Sequence, residues 1–261
     1  MDIVPDSNFA YECLHNGGFS KYSRAYVITN EDLRYSMQFM PKECNRALTV
    51  VGSGDHPLFC SLYGAKHVDA FDISYNAKCI MDIKVSALWN NFDLFDYEQM
   101  LYELFYCRDI TGLKNIDKIS KFLPVEEYNY LCSMKKISLF HQGASPKLYE
   151  RFLPNVQEYE KLKEIVKEHY HFIMSDIKEL GTNVTEHYDF IHVSNIFDYV
   201  PRDKSFDVLS SLLKLVNPKG RILVHNQLVW SGPSCRRIAE AFENWRHIQE
   251  KDNINILERI R

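Results

Sequence analysis

The chain lacks a long apolar run, an excess of positive charge and any pair of closely spaced cysteines. No stretch of about 18 apolar residues occurs in its 261 residues, so the sequence predicts no insertion into a membrane. The net charge of −4 gives no basic footprint, from which we expect no nucleic-acid partner. The acidic first residues, interrupted by Pro5, lack the basic head of a signal peptide, and we expect none.

Cysteine spacing also excludes a disulfide framework. The seven cysteines are odd in number and form no CxxC pair, which is typical of reduced thiols in a cytoplasmic protein. The stretch "HYH" at His169 to His171 has no Cys or acidic partner at ligand spacing. We therefore expect no metal site there, but two surface histidines that lead into a strand.

Short apolar runs alternate with helical patterns along most of the chain. Strand-like runs are "RALTVVG", "KHVDAFDIS", "YHFIMSD", "HYDFIHVSN" and "RILVHNQ". Amphipathic segments separate most of them, and the C-terminal stretch suggests an antiparallel hairpin that turns near Asp252 and Asn253. This order predicts an α/β fold with a doubly wound, Rossmann-like, mostly parallel sheet that is covered on both faces.

Two segments depart from the alternation, and we interpret the whole of 1–261 as one domain that contains both. Residues 1–45 read as a helical lead-in, and residues 89–168 as a helical insertion on the acceptor side. The aromatic residues early in the insertion are either core between helices or a pocket for an acceptor with apolar parts.

The sharpest local signal is a glycine turn followed by an acid. Gly52 and Gly54 end the first strand, and glycine lets the backbone turn sharply and lets a ligand approach closely. Asp72 ends the next strand 20 residues after Gly52 (72 − 52), where an acid binds ribose hydroxyls. The alternative is that Asp72 caps the following helix. A dinucleotide fingerprint needs a third glycine at 57, where Pro57 stands, so S-adenosylmethionine suits the turn better than NAD.

With these residues in place, the chain resembles the class I S-adenosylmethionine-dependent methyltransferases. "VVGSGD" resembles their glycine motif and "VDAFDIS" their ribose-acid motif, which includes Asp72 and Ile73. "FIMSDIKEL" resembles the strand end that flanks adenine, and the resemblance implies this role for Asp176 and Ile177. "YDFIHVSNIFDYV" and "LLKLVNPKGRILVHN" resemble the fourth and fifth motifs. Val51 departs from the acid that many of these enzymes carry, and Asp55 is the candidate to supply that charge.

A narrower resemblance is to the 3-amino-3-carboxypropyl transferase branch of this fold, of which betaine-lipid synthase is an example and nicotianamine synthase a more distant relative. It covers the segment from "RALTVVGSGD" to "DYEQMLYELF" and includes Gly54-Asp55, Asp72-Ile73, Ala77 and Lys84. This resemblance implies attack on the γ-carbon of the methionine part, with methylthioadenosine as the leaving group. It also implies a small-molecule or lipid acceptor.

The methionine tail of such a cofactor needs polar partners. Candidates are Tyr22, Ser23 and Arg24 in the lead-in, with Ser53 and Asp55 in the glycine turn. Arg24 has the guanidinium that pairs with a carboxylate in bidentate fashion. A solvated surface arginine is the alternative.

The segment "HVSNIFDYVP" after the fourth strand supplies candidates for the reactive end. Ser194 and Asn195 are expected beside the cofactor, and Asp198 and Tyr199 orient or deprotonate an acceptor. Asp198 as the cap of a helix begun near Pro201 is the alternative. His141 in the insertion is a further candidate base.

These observations favour transfer of the 3-amino-3-carboxypropyl group from S-adenosylmethionine. Methyl transfer on the same scaffold is the close alternative. An NAD-dependent oxidoreductase and a non-catalytic binding protein stay open as different classes.

Overall fold

A computed structural model of the chain describes residues 20–106, 114–134, 139–140, 150–225, 231–249 and 254–261. The chain divides into two compact units. The first unit comprises Met1–Glu31, Val51–Leu58 and Asp72–Tyr170, and the second comprises Asp32–Val50, Phe59–Phe71 and His171–Arg261.

The helices and strands follow one another in a regular order. The helices are α1 (Leu33–Met37), α2 (Asp55–Leu62), α3 (Tyr75–Trp89), α4 (Leu94–Tyr106), α5 (Lys114–Ile119), α6 (Val125–Ser133), α7 (Val156–Ile165), α8 (Ile177–Asn183), α9 (Ser205–Leu212) and α10 (Ser231–Ala241). The strands are β1 (Arg46–Val50), β2 (His67–Asp72), β3 (His171–Met174), β4 (Tyr188–His192), β5 (Val216–His225), β6 (Trp245–Gln249) and β7 (Ile254–Arg259). Short 3₁₀ turns lie at Ser120–Phe122, Glu150–Phe152, Ile196–Asp198 and Leu213–Leu215.

The second unit contains the sheet, apart from Asp72 at the end of β2. Its strand order is β3-β2-β1-β4-β5-β7-β6. Strand β1 pairs in parallel with β2 and β4, and β4 pairs in parallel with β5. Strand β7 is antiparallel to both β5 and β6, which gives the predicted hairpin at the end of the chain. Asp252 and Asn253, where the turn was predicted, lie outside the described residues.

Both faces of the sheet are buried: successive side chains of a strand point to opposite faces, and consecutive residues of β1 and β2 are buried. Leu48 and Ile222 belong to one apolar core with Leu209 of α9 and further residues of α8 and α10. Thr49 follows Leu48 in β1 and therefore points to the opposite face, where it is also fully buried. Its hydroxyl hydrogen-bonds the Cys60 thiol of α2. The predicted mostly parallel, doubly wound α/β sheet is therefore confirmed.

A buried acid of β2 contacts residues of three other strands of this unit. The Asp69 carboxylate accepts hydrogen bonds from Arg46 Nε at 2.8 Å and from the Tyr188 hydroxyl at 2.8 Å. His171 Nδ1 lies 3.0 Å from its other oxygen. Burial raises the pKa of Asp69, but these hydrogen bonds outweigh burial and the net pKa is lowered.

The first unit is built around α3, against which other helices pack. Trp89 Nε1, at the end of α3, donates to the Val166 carbonyl at 2.8 Å, just after α7. The His169 ring lies on the Trp89 ring with centroids 4.6 Å apart, and its Nδ1 is 3.0 Å from Asp82 Oδ1. The prediction of two surface histidines is thus right for exposed His171 and wrong for half-buried His169.

Within the described residues, none of the helices combines the length and the apolar character that crossing a membrane requires.

Candidate functional site

The glycine turn lies directly after β1 and has the left-handed backbone that the sequence predicts. Gly52 has φ of +57° and Gly54 has φ of +83°, and the Gly54 N–H donates to the Val51 carbonyl at 2.8 Å. A Cβ on Gly54 would lie 2.9 Å from the Met81 Cα of α3. The second glycine is therefore required by backbone conformation and by a neighbouring backbone as well. We refer to 51–54 as the glycine loop.

Asp72 is bound to this loop through the backbone. Its Oδ2 accepts from the Gly52 N–H at 3.1 Å, and its Oδ1 accepts from the Ser74 N–H at 2.9 Å. Burial raises the pKa of Asp72 to about 6, and the backbone hydrogen bonds oppose that rise. The alternative reading of Asp72 as a helix cap does not hold, because the N-cap of α3 is Ser74.

Asp55 points away from solvent, into the protein. It is fully buried, and its Oδ1 lies 2.5 Å from the ammonium of Lys84, which is also fully buried. Its Oδ2 accepts from the Thr29 N–H at 2.9 Å and from the Ser53 hydroxyl at 2.7 Å. Both oxygens are thus engaged by the protein, so this geometry assigns Asp55 to holding the loop and not to replacing the missing acid at 51.

The lead-in segment is attached to the start of α3. Asn76 Nδ2 donates to the Tyr22 and Ser23 carbonyls, both at 3.1 Å, and the Ser74 hydroxyl donates to the Ser23 carbonyl at 2.6 Å. Tyr22 is buried, Ser23 is half-buried and Arg24 is exposed. The lead-in therefore reaches the residues just after Asp72, as the proposed tail contacts require. Arg24 has no pairing with another described residue that distinguishes it from a surface arginine.

Exposure separates the predicted contacts of the first unit into two groups. Gly52, Asp72 and the adjoining Ile73 are half-buried, so a ligand can reach them. Ser53 and Asp55 are buried to within 1% and 0% relative exposure, so their side chains support the loop from behind.

His56 is a residue of the site that the sequence did not assign. Its Cε1 lies 3.3 Å from the position that a Cβ on Gly52 would occupy, and its Nε2 is 3.5 Å from Glu31 Oε2. The imidazole therefore fills the space that glycine leaves in the loop. The "GDHP" string contains this histidine, but no spacing rule indicates which way its ring points.

The predicted residues after β4 lie in the second unit. Ser194 has φ of +52°, which is uncommon for a residue with a Cβ, and its carbonyl accepts from the His225 N–H at 2.8 Å. Its hydroxyl lies 3.3 Å from Asn195 Oδ1. Asp198 ends a 3₁₀ turn and does not cap α9, whose N-cap is Lys204. Tyr199 is exposed.

The two residues for which the resemblance implies contact with adenine, Asp176 and Ile177, follow β3. Asp176 is the N-cap of α8 and accepts from the Lys178 N–H at 3.0 Å, while Lys178 Nζ lies 3.1 Å from its other oxygen. Ile177 is buried in the apolar core of the second unit. Each residue thus has a structural role in the free chain. His141, the further candidate base, lies outside the described residues.

The described residues contain no group of three His, Cys or acidic side chains arranged to hold a metal ion. Among the described residues, the buried Tyr97 hydroxyl of α4 has no hydrogen-bond partner. Burial and the nearby charge of Asp55 raise its pKa well above the usual range.

No protein-family model matches the chain, and no curated protein matches it. Solved structures do match. The ribosomal protein L11 methylase from Lactobacillus delbrueckii subsp. bulgaricus is 12% identical over 87% of this chain and 74% of its own, with a TM-score of 0.42. SMU.1697c from Streptococcus mutans, in complex with SAH, is 11% identical over 89% and 99%, with a TM-score of 0.42. The rRNA methyltransferase aviRa from Streptomyces viridochromogenes is 12% identical over 88% and 82%, with a TM-score of 0.44.

These matches correct one expectation drawn from composition. Several of the matched proteins are named as rRNA methylases, so the exclusion of nucleic acid by net charge was wrong. Net charge sums over the whole chain and does not report local charge patterns, which are what a nucleic acid meets.

Proposed function

We propose that the chain is an S-adenosylmethionine-dependent transferase, with the glycine loop and Asp72 as the nucleoside-binding part of its site. The observation that carries this proposal is the bond between the Gly52 N–H and the half-buried Asp72 carboxylate, 3.1 Å long. In sheets of this kind, ligands bind outside the carboxyl ends of the strands, where this loop and this acid lie.

The residues fit the ribose of such a cofactor. An ionised carboxylate has about four acceptor positions, so Asp72 keeps capacity for a hydroxyl donor beside its backbone bonds. Ile73 offers half-buried apolar surface next to it. The fit is poorer at the amino-acid end, because Asp55 is fully engaged by Lys84, Thr29 and Ser53.

When bound, S-adenosylmethionine supplies an electrophilic carbon attached to a sulfonium. The chain's own residues then have three tasks. Asp72 holds the sugar, the glycine loop admits it closely, and Ser23 with Tyr22 forms the wall where the lead-in meets α3. Alignment of the acceptor in line with the reacting carbon is the remaining task.

The transferred group is the 3-amino-3-carboxypropyl group in the proposed reaction. Support comes from contacts among the residues that the narrower resemblance names: Asp55 pairs with Lys84, and Gly54 would meet the Lys84 side chain at 3.4 Å if it carried a Cβ. Gly54, Asp55 and Lys84 are therefore in direct contact in this chain.

The proposed acceptor is a small molecule or a lipid with apolar parts, met in the cytoplasm. Phe95 and Tyr106 of α4 are 66% and 65% exposed, whereas Phe92, Tyr97 and Phe105 are buried. The aromatic segment thus divides into core residues and a set that is accessible to an apolar acceptor.

The test is binding and product analysis with purified chain and S-adenosylmethionine. We expect Asp72→Ala to weaken cofactor binding by about 1–3 kcal/mol, or about 5- to 150-fold, because a polar partner of the ribose is lost. Asp117→Ala, which removes an exposed acid of the same unit, is the control and leaves affinity unchanged.

Products distinguish the reactions. Detection of methylthioadenosine as product supports aminocarboxypropyl transfer. Detection of S-adenosylhomocysteine as the only nucleoside product contradicts it and indicates methyl transfer. A wild-type chain that does not bind S-adenosylmethionine in calorimetry contradicts the proposal as a whole.

A further inference from the structure

Asp55 and Lys84 form an ion pair that is cut off from solvent. Both side chains have 0% relative exposure, and the ammonium lies 2.5 Å from the carboxylate. Burial lowers the pKa of Lys84, and the charge of Asp55 opposes this shift only in part. Replacing such a pair by apolar residues of similar size is often neutral or stabilising, so net stability does not account for its presence.

The pair instead joins three separate segments. Through Oδ2, Asp55 holds the Thr29 N–H of the lead-in and the hydroxyl of Ser53 in the glycine loop. Through Oδ1 it holds Lys84 of α3. Hydrogen bonds to a charged group are shorter and stronger than neutral ones, so a single carboxylate fixes the relative positions of all three segments.

The glycine loop is also in direct contact with α3. A Cβ on Gly54 would lie 2.9 Å from Met81 Cα and 3.2 Å from Met81 N, so the loop backbone rests on the helix backbone. Lys84 follows Met81 by three residues and therefore lies on the same helix face. The ion pair thus fastens the loop at the place where it touches the helix.

The other end of α3 sets the position of the acid. Asp72 accepts from the N–H of Ser74, the N-cap of α3, and also from Gly52 in the loop. Helix α3 therefore positions both the glycine loop and Asp72. The loop contacts the helix near Lys84, and Asp72 is bound at its N-terminus.

We propose that Asp55 and Lys84 are positioning residues, which hold the glycine loop in the conformation that receives the cofactor without touching it. That the cofactor is S-adenosylmethionine rests on the proposed function. That the pair holds the loop does not, because it follows from the contacts within the free chain.

The experiment replaces both charges at once, as Asp55→Leu/Lys84→Met, so that no unpaired charge is left. We expect the double variant to keep a melting temperature close to that of the wild type. We expect its dissociation constant for S-adenosylmethionine to rise by about tenfold or more, because lost polar contacts cost that much. Without cofactor, we expect faster hydrogen exchange of the backbone amides at 51–54.

A matched control on the same helix is Lys78→Met. Lys78 pairs with Asp82 at 2.8 Å and with Glu127, both buried, and neither belongs to the glycine loop. This variant should lose stability but keep the cofactor affinity and the loop exchange of the wild type. The control therefore distinguishes the expected loss of affinity and faster loop exchange from the effects of a general loss of stability.

A double variant with wild-type affinity and wild-type loop exchange overturns the positioning role. If the wild type itself does not bind S-adenosylmethionine, the proposed function fails, and the hydrogen-exchange comparison still decides the positioning role. If the double variant does not fold, Ser53→Ala removes one bond to Asp55. It should speed loop exchange and weaken binding about threefold, and unchanged values for both overturn the inference.

Discussion

Both compact units of the chain bury many apolar side chains, but they differ in the number of charged side chains that they bury. Among the described residues, the second unit buries a large apolar core and one carboxylate, that of Asp69. The first unit buries five charged side chains: Glu31, Asp55, Asp82, Lys84 and Glu127. Apolar burial is non-directional and stabilises in proportion to area, whereas buried charges fix positions and cost desolvation. The comparison indicates that buried charges fix the positions of groups mainly in the first unit.

The largest expected effect comes from breaking one partner of the buried pair in the first unit. Lys84→Met leaves the buried Asp55 carboxyl without its ammonium partner, and we expect the free energy of unfolding to fall by about 3–5 kcal/mol. Urea denaturation of the variant and the wild type measures this loss.

A substitution in the second unit sharpens the contrast. Leu209→Ala in the apolar core should cost about 2–5 kcal/mol through the cavity it leaves. Adding Asp55→Leu should restore most of the stability lost in Lys84→Met, since no charge then stays unpaired, but should not rescue Leu209→Ala. A double variant at 55 and 84 as unstable as Lys84→Met would show that the two units do not differ in this way.

A middle-sized effect should appear in the pH dependence of cofactor binding. The two aspartates with opposite shifts are Asp72, whose pKa is raised to about 6, and Asp69, whose pKa is lowered. As pH falls through about 6, Asp72 gains a proton and stops accepting from ribose hydroxyls. We expect the dissociation constant to rise about tenfold between about pH 7 and pH 5.

Calorimetry over that range measures the effect, with Asp72→Asn as the control that should show a flat profile. Asp69 stays ionised across the same range because its pKa is lowered, so this carboxylate should contribute nothing to the profile. An unchanged wild-type affinity at pH 5 would show that Asp72 does not bind the ribose.

The smallest effect concerns the helix caps, where the two units should behave alike. Asn155 caps α7 in the first unit through a capping box with Glu158, and Asp176 caps α8 in the second. Replacing either by alanine should lower the free energy of unfolding by about 1 kcal/mol. Cofactor affinity then tests the adenine role implied for Asp176: Asp176→Ala should weaken binding, and Asn155→Ala should not. Equal affinities would leave Asp176 as a cap alone.

Much of the framework is predictable because it depends on local pattern. β-branched runs that end at glycine or at polar residues predict β1, β2 and β4, and Asp72 falls at a strand end by simple counting. The left-handed backbone at Gly52 and Gly54 is also a local requirement that glycine signals.

The site is less predictable because its contacts join distant positions. The pair of Asp55 and Lys84 is separated by 29 residues, and nothing in either neighbourhood marks the partner. His56 and His169 look alike as isolated histidines, yet one fills the space beside Gly52 and the other packs on Trp89. Ser194 carries a left-handed backbone that its residue type disfavours, so only the tertiary structure shows it.

The strand order also determines when each strand of the sheet can pair during synthesis. Strand β1 pairs on one side with β2 and on the other with β4, whose Phe190 stands opposite Ala47 and follows it by 143 residues (190 − 47). A ribosome emits every residue of the first unit before residue 171, so β1 waits with one edge unpaired while those helices are made. An unpaired edge templates association with other chains, and the nascent protein is therefore most at risk of aggregation until β4 emerges.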